Sequence, residues 1–184
     1  MKLFYTPTDK DLLKDRNRIF IDSATPQLYK NNFIKSPFST ANFGKNNLGD
    51  FTYEFIRLKS TSELETLTVH ISKGDKYIKF YLNIFELKQQ VQNEEELKGV
   101  DSLKLALPPL SLTKMRLRSD DYKFIPLITV LFYKEHKLAR FFTKKGYNKQ
   151  IEKLSKLITQ DCSNIDKFAR RWHVLHSSNS VSLS

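Results

Sequence analysis

The sequence is short of several things. Its 184 residues include one cysteine, Cys162, five glycines and one tryptophan. A single thiol excludes an intrachain disulfide and makes a reducing compartment the simpler expectation. Five glycines leave little material for a loop that cradles phosphate. The nearest approach, GKNNLGDF at residues 44–51, spaces its two glycines as a P-loop does. Asp50 and Phe51 nevertheless stand where Lys and Ser or Thr are needed to neutralise phosphate and hold magnesium, which excludes that chemistry. A G-x-S-x-G nucleophile elbow is also missing, and Cys162 has no local signature of a nucleophile, so a buried or half-buried spectator is expected. Long apolar runs are absent: the longest, FIPLITVLFY at residues 124–133, falls well short of the roughly 18 residues that span a bilayer. At the N-terminus, MKLFYTPTDKDLL places Thr, Pro and Asp where a signal peptide is continuously apolar. A soluble protein is expected, in the cytoplasm or inside a virion or secretion-type particle.

Metal-ligating residues are sparse as well. His173 and His176, with Cys162, are fewer than the three or four ligands that a zinc site assembles, and the acidic runs at residues 94–96 and 120–121 read as exposed charge. No metal or cofactor is expected. One enzyme class needs neither. A metal-independent ribonuclease uses an acid, a base and cations around the scissile phosphate, and YKEHKLAR supplies Tyr133, His136, Lys137 and Arg140. The alternative for the same residues is a charged hairpin tip.

What the sequence does have is bulk and positive charge. Hydrophobic residues make up 40% and aromatics 12%, enough for one folded domain with a substantial core. The net charge is +11, and it is unevenly placed: residues 1–60 carry +4, residues 61–100 carry −2 and residues 101–184 carry +9. Scarce Ala and Gly beside abundant Lys, Asn, Phe and Ile match an AT-rich coding sequence, which accounts for part of this charge. A partner attracted by the remainder is negative: nucleic acid, an acidic protein surface or anionic lipid.

Three prolines and many polar residues in residues 1–50 predict an extended, irregular N-terminal arm, with a short helix at residues 9–16. Its Tyr29, Phe33, Phe38 and Phe43 need a surface to cover them, on this chain or on a neighbour. A single α+β domain is predicted over residues 51–176, followed by a polar tail at residues 177–184. From Phe51 apolar residues recur with period two in FTYEFIRLK, ELETLTVHI and KYIKFYLNIFEL, predicting three antiparallel strands, with SKGDK supplying Gly74 for a tight turn. KQQVQNEEELKG suits a short helix stopped by Gly99. LTKMRLR, FIPLITVLFY and KLARFFTKK bring the expected total to six or seven strands over about residues 51–143, an antiparallel sheet or partly closed barrel. Two amphipathic helices follow. Ile151, Leu154, Leu157 and Ile158 mark the buried side of the first, and Ile165, Phe168, Ala169, Trp172 and Leu175 that of the second, which Ser163 is expected to cap.

The candidate site follows from these helices. Lys149, Lys153 and Lys156 fall on the outer side of the first, and Lys167, Arg170 and Arg171 on the outer side or margins of the second; Arg116 and Arg118 belong to the same basic half. On the third strand Tyr77, Lys79 and Tyr81 alternate with core positions, an arrangement that stacks bases on rings while a lysine meets phosphate. The simpler expectation for the same tyrosines is packing beneath the helices, since a two-layer α+β fold must cover something with them. The functional expectation is a non-catalytic structural or adaptor subunit of a larger assembly, contacting RNA, DNA or an acidic protein through its basic C-terminal face. A free-standing nucleic-acid-binding module, the small ribonuclease and a binder of anionic lipid are the alternatives.

Overall fold

A computed structural model of the chain describes Tyr5 and residues 7–122 and 134–183. Seven strands form one open sheet: β1 (Ile34–Lys35), β2 (Phe43–Lys45), β3 (Phe51–Ser60), β4 (Glu63–Ile71), β5 (Lys79–Leu87), β6 (Met115–Arg116) and β7 (Asn179–Val181). The long strands β3, β4 and β5 make an antiparallel meander. β1 and β2 share the outer edge of β3, while β6 and β7 share the outer edge of β5. Every pairing is antiparallel except β5 with β7, which is parallel. The helices are α1 (Asp9–Ile19), α2 (Thr25–Lys30), the single turn α3 (Leu103–Ala106), α4 (Lys144–Ser163) and α5 (Ile165–Leu175).

The period-two pattern places the core as expected. Tyr53 and Phe55 of β3, Leu67, Val69 and Ile71 of β4, and Ile78, Phe80, Leu82 and Ile84 on or beside β5 are all at most 5% exposed and face α1, α2, α4 and α5. The opposite sheet face is apolar at one end only. There Ile56, Leu64, Phe85 and Leu87 pack beneath Phe38, Val91, Leu97 and Leu105. At the other end that face carries Thr52, Glu54, Thr66, Thr68 and His70, and a crevice of about 240 Å³ opens over it.

Several local expectations are corrected. The helix expected at residues 9–16 extends to residue 30, and from residue 9 onward only residues 31–50 of the N-terminal arm are irregular, apart from β1 and β2. Thr8 and Asp11 form a reciprocal capping box at the start of α1, and a π-helical turn at Phe20–Ala24 joins α1 to α2, with Pro26 just after that turn. Of the arm's aromatics, Phe33 and Phe38 are buried, while Tyr29 stays 50% exposed. Gly74 does not take the positive φ expected for a tight hairpin; Gly99 does, at 77°. The helix expected before Gly99 is only a 3₁₀ turn at Glu94–Leu97. KLARFFTKK is not a strand: one bridge, Tyr77 with Lys137, ties it to the sheet, and α4 begins at Lys144. FIPLITVLFY lies outside the described residues. Ser163 ends α4 and Asn164 stands at the N-cap of α5. The tail is paired through β7, and Val181 is 4% exposed.

One buried cation joins these layers. Arg57 points from β3 into the helical side of the sheet. Its Nε donates to Glu65 Oε2 at 2.7 Å, Nη2 to Asp166 Oδ1 at 2.6 Å and Nη1 to the Asn31 carbonyl at 3.0 Å, while the guanidinium lies 4.5 Å from the Phe33 ring centroid. Asn31 in turn donates to the Cys162 carbonyl at 3.1 Å. Strands β3 and β4, the end of α2 and the α4–α5 junction therefore share one electrostatic anchor. Arg57→Met strands Glu65, which is 1% exposed, and is expected to cost about 3–5 kcal/mol. For a chain of this size that lowers Tm by about 10 °C in a melt followed by circular dichroism. Adding Glu65→Leu should recover much of the loss.

Candidate functional site

Helix α4 supplies the main basic surface. Thr143 caps it by accepting from the Gly146 N–H at 3.1 Å, and Tyr147, Leu154, Ile158 and Cys162 fix its buried side. At 3.6 residues per turn Lys149, Lys153, Lys156 and Gln160 recur at about 0°, 40°, 340° and 20°, one narrow line along the outside. All four are exposed. Glu152 lies four residues before Lys156, yet no described carboxylate comes within 4.0 Å of any of these lysines. Lys144 and Lys145 occupy the first turn, which holds no acid. Their charge adds to the positive end of the helix dipole there and raises the potential of the whole stripe.

Helix α5 turns Ile165, Phe168, Ala169 and Trp172 inward, and Trp172 Nε1 donates to the Thr113 carbonyl at 2.7 Å. Lys167 and Arg170 remain exposed on its outer side. With Gln160 and Asn164 they border a cleft of about 720 Å³, whose inner wall includes Arg118, Asp121, Asp161 and Arg171. A second cleft of about 420 Å³ lies where α4 passes the start of β5. Tyr77, Lys134, Lys137, Gln150, Lys153, Leu154 and Leu157 line it, together with Glu135. Lys156 stands on the stripe between Lys153 at one cleft and Gln160 at the other.

The predicted basic residues thus divide into two groups. Lys149, Lys153, Lys156, Lys167 and Arg170 project outward. The others are engaged within the fold: Arg118 is ion-paired with Asp161, Arg116 with Glu135 at 3.1 Å, and Lys79 with Asp75 at 2.5 Å, while Arg171 donates from Nε to the Asp121 carbonyl at 2.8 Å. The tyrosines of the Tyr77–Lys79–Tyr81 run have different neighbours. Tyr77 borders the α4 cleft with the Arg116 guanidinium 4.9 Å from its ring centroid, whereas Tyr81 meets His70 edge-on at 5.7 Å on the sheet face away from α4 and α5. Lys134, Gln150, Gln160 and Asn164 join the site without having been singled out. The glutamines were legible in principle, since Gln160 extends the lysine line, but the sequence cannot show that Lys134 and Lys137 lie beside Tyr77.

His136 occupies no hairpin tip. It is 3% exposed, its Nε2 lies 2.7 Å from Asp161 Oδ2, and its ring packs edge-on against Phe80 at 4.8 Å. Burial pushes the imidazole's pKa down, against the pull of Asp161, so a neutral His136 donates Nε2–H. Burial works to raise the Asp161 pKa, but hydrogen bonds from His136 and Arg118 hold it below the ordinary carboxylate range. His136 is buried and Asp161 is taken up by Arg118 and His136, so the pair offers no free acid or base to a scissile phosphate. Arg140 is ion-paired with Asp9 at 2.7 Å, and Tyr133 lies outside the described residues. Cys162 is buried, and burial pushes its thiol pKa up, which leaves it unreactive. Among the described residues no group of three or more His, Cys, Asp or Glu side chains is placed to hold a metal ion.

Asp121 gives the inner wall of the larger cleft a pH dependence. Burial pushes its carboxyl up to about 6, against hydrogen bonds from backbone N–H groups of Asp121 and Arg118. The folded value lies above the ordinary 3.8, so the native chain keeps a proton that the unfolded chain has released, and stability falls as pH rises from about 4 to 6. Asp121→Asn removes that ionisation. The variant should gain on the wild type by on the order of 2 kcal/mol between pH 4 and pH 7, read from urea midpoints at the two pH values.

No protein family, curated protein or solved structure matches the chain. The function is therefore read from the geometry and charge of this face alone.

Proposed function

We propose that the chain is a non-catalytic structural or adaptor subunit that docks on a polyanionic partner, nucleic acid or an acidic protein surface, through the outer faces of α4 and α5. The observation that carries this reading is the division of its cations. Arg57, buried, and Arg118, half-buried, each have a carboxylate and the buried Arg16 a backbone carbonyl, while Lys149, Lys153, Lys156, Lys167 and Arg170 stand outside with no described carboxylate within 4.0 Å. A merely solvated helix face usually mixes signs at i,i+4 spacing. Here Glu152 flanks the line at i,i+4 to Lys156 without an ion pair to it, and the line itself, Lys149, Lys153 and Lys156, carries a single sign, a surface complementary to a row of phosphates or acidic side chains.

Burial of His136 favours attachment over catalysis. A subunit role is supported elsewhere on the surface: Leu103, Leu107 and Leu112 are 57%, 60% and 72% exposed within ten residues, and Phe142 is 76% exposed. A monomer seldom leaves so many large apolar groups bare within one short segment.

Salt titration tests the proposal. If the five outward cations each meet a phosphate, the affinity for an oligonucleotide should fall with a log–log slope near −4 against salt concentration. Changing Lys149, Lys153 and Lys156 together to Glu should abolish binding at 100 mM salt while leaving the melting temperature unchanged or higher. An unmodified chain that binds neither oligonucleotide nor polyglutamate at 50 mM salt would overturn the reading.

A further inference from the structure

The geometry points to a single-stranded nucleic acid as the polyanion, with one base inserted in the cleft between α4 and the start of β5. This rests on the polyanion reading above and narrows it to one partner. The cleft differs from the rest of the basic face in what lies inside it. Lys134, Lys137 and Lys153 carry charge at its walls, but the Tyr77 ring and the side chains of Leu154 and Leu157 give it apolar, flat surface. Phosphate has no use for such surface, whereas a nucleobase does: its faces stack on an aromatic ring while the attached phosphates stay among cations. A volume of about 420 Å³ suits one small planar group.

Polar groups are placed for the base edge. The Gln150 amide offers both a donor and an acceptor at the cleft. Glu135, the one carboxylate among the described lining residues, is held by Arg116 at 3.1 Å, so it does not present an uncompensated charge to the strand. The same Arg116 lies 4.9 Å from the Tyr77 centroid, and the Lys76 ammonium lies 5.4 Å from it. The ring is thus positioned before any ligand arrives. Beyond the cleft, Lys153, Lys156 and Gln160 lead along α4 for about 10 Å toward Lys167 and Arg170, a track for the phosphates of neighbouring nucleotides.

This architecture selects against the other polyanions. A duplex keeps its bases stacked inside and would leave the exposed parts of Tyr77 and Leu157 uncovered. An acidic peptide matches the lysines but has no planar group of matching kind at each charge. Single strands supply charge and an exposed ring in one repeating unit.

Fluorescence anisotropy on the full chain should compare three probes with equal phosphate numbers: a ten-nucleotide single strand, the corresponding duplex and an abasic strand. The single strand is expected to bind at least about tenfold more tightly than either. Tyr77→Ala should weaken the single strand roughly 5- to 100-fold, the value of one lost stack, and leave the abasic strand unchanged. Tyr77→Phe should bind as the wild type does. Because Tyr77→Ala also removes packing for Arg116, a second readout uses the wild type alone: a strand carrying 5-iodouridine should photo-crosslink within the peptide containing Tyr77. Equal affinity for all three probes, or crosslinks confined to other segments, would overturn base insertion while leaving the polyanion reading intact. Preference for polyglutamate over the single strand would overturn it in favour of an acidic protein. Failure to bind any of these probes would remove both.

Discussion

The placement of the basic face depends on a buried carboxylate. Asp161, near the end of α4 and 3% exposed, receives Arg118 from beyond β6 and His136 from the segment before α4. Removing an ionised carboxylate from water is costly, and only the guanidinium and the imidazole N–H together make it tolerable. The arrangement has one geometry that satisfies all three groups. That geometry sets where α4 ends, and therefore which of its sides faces out. Five residues later Asp166 performs the equivalent task for α5 by taking Nη2 of Arg57. The two carboxylates hold the helix junction against the sheet on either flank, and the outward lysines inherit their positions from these inward acids.

Seen this way, the net charge of +11 has an internal division. Arginines do the buried work, since a planar fork can meet a carboxylate, a carbonyl and a ring at once, as Arg57 does. Lysines are left to the outside, where a flexible, strongly hydrated ammonium is cheap to expose and quick to exchange water for phosphate. Among the described residues Arg18, Arg140 and Arg170 are the exposed exceptions, and Arg170 alone of these belongs to the outer face of α5. A surface made mainly of lysine favours attachment that follows charge rather than sequence, because such contacts position a strand without reading its bases.

Strands β3 to β5 and helices α4 and α5 were legible because their apolar periods are nearly unbroken. The N-terminal helix was legible only over residues 9–16, not in its continuation through Phe20–Ala24 and α2, and the reason is local. Its core-facing side runs Leu12, Leu13, Arg16, Ile19, Phe20, Ser23, Ala24 and Leu28, a helical spacing interrupted by two polar residues, and Pro26 reads as a stop. Arg16 is 1% exposed and donates to the Ser72 carbonyl at 3.0 Å, a contact 56 positions away that no local pattern reveals. The site shows the same limit. The lysine line needed only helix geometry and was readable. Both clefts arise from distant pairs, Tyr77 bridged to Lys137 and Arg118 meeting Asp161, and the same pairings explain why Arg116 and Arg118 serve the interior when their sequence neighbourhood suggested a surface.

A last constraint concerns energy in the absence of a partner. Lys145 with Lys149 and Lys149 with Lys153 repel at i,i+4, Lys153 with Lys156 repels at i,i+3, and Lys144 and Lys145 oppose the dipole of the helix they begin. At a few tenths of a kcal/mol for each pair, somewhat more for each dipole clash, and less the attraction of Glu152 for Lys149 and Lys156, the stripe costs on the order of 1–2 kcal/mol. That is a substantial fraction of an ordinary domain's stability. An isolated helix of this sequence would fray at its first turn. Here it holds because Tyr147 is buried and bonded to Asp15 of α1 at 2.8 Å, and because Thr143 closes the N-terminus. The buried anchors therefore maintain a surface that is electrostatically uncomfortable when free. On the proposed reading a bound anion would relieve the repulsion it meets, and part of its affinity would come from strain already present in the unliganded helix.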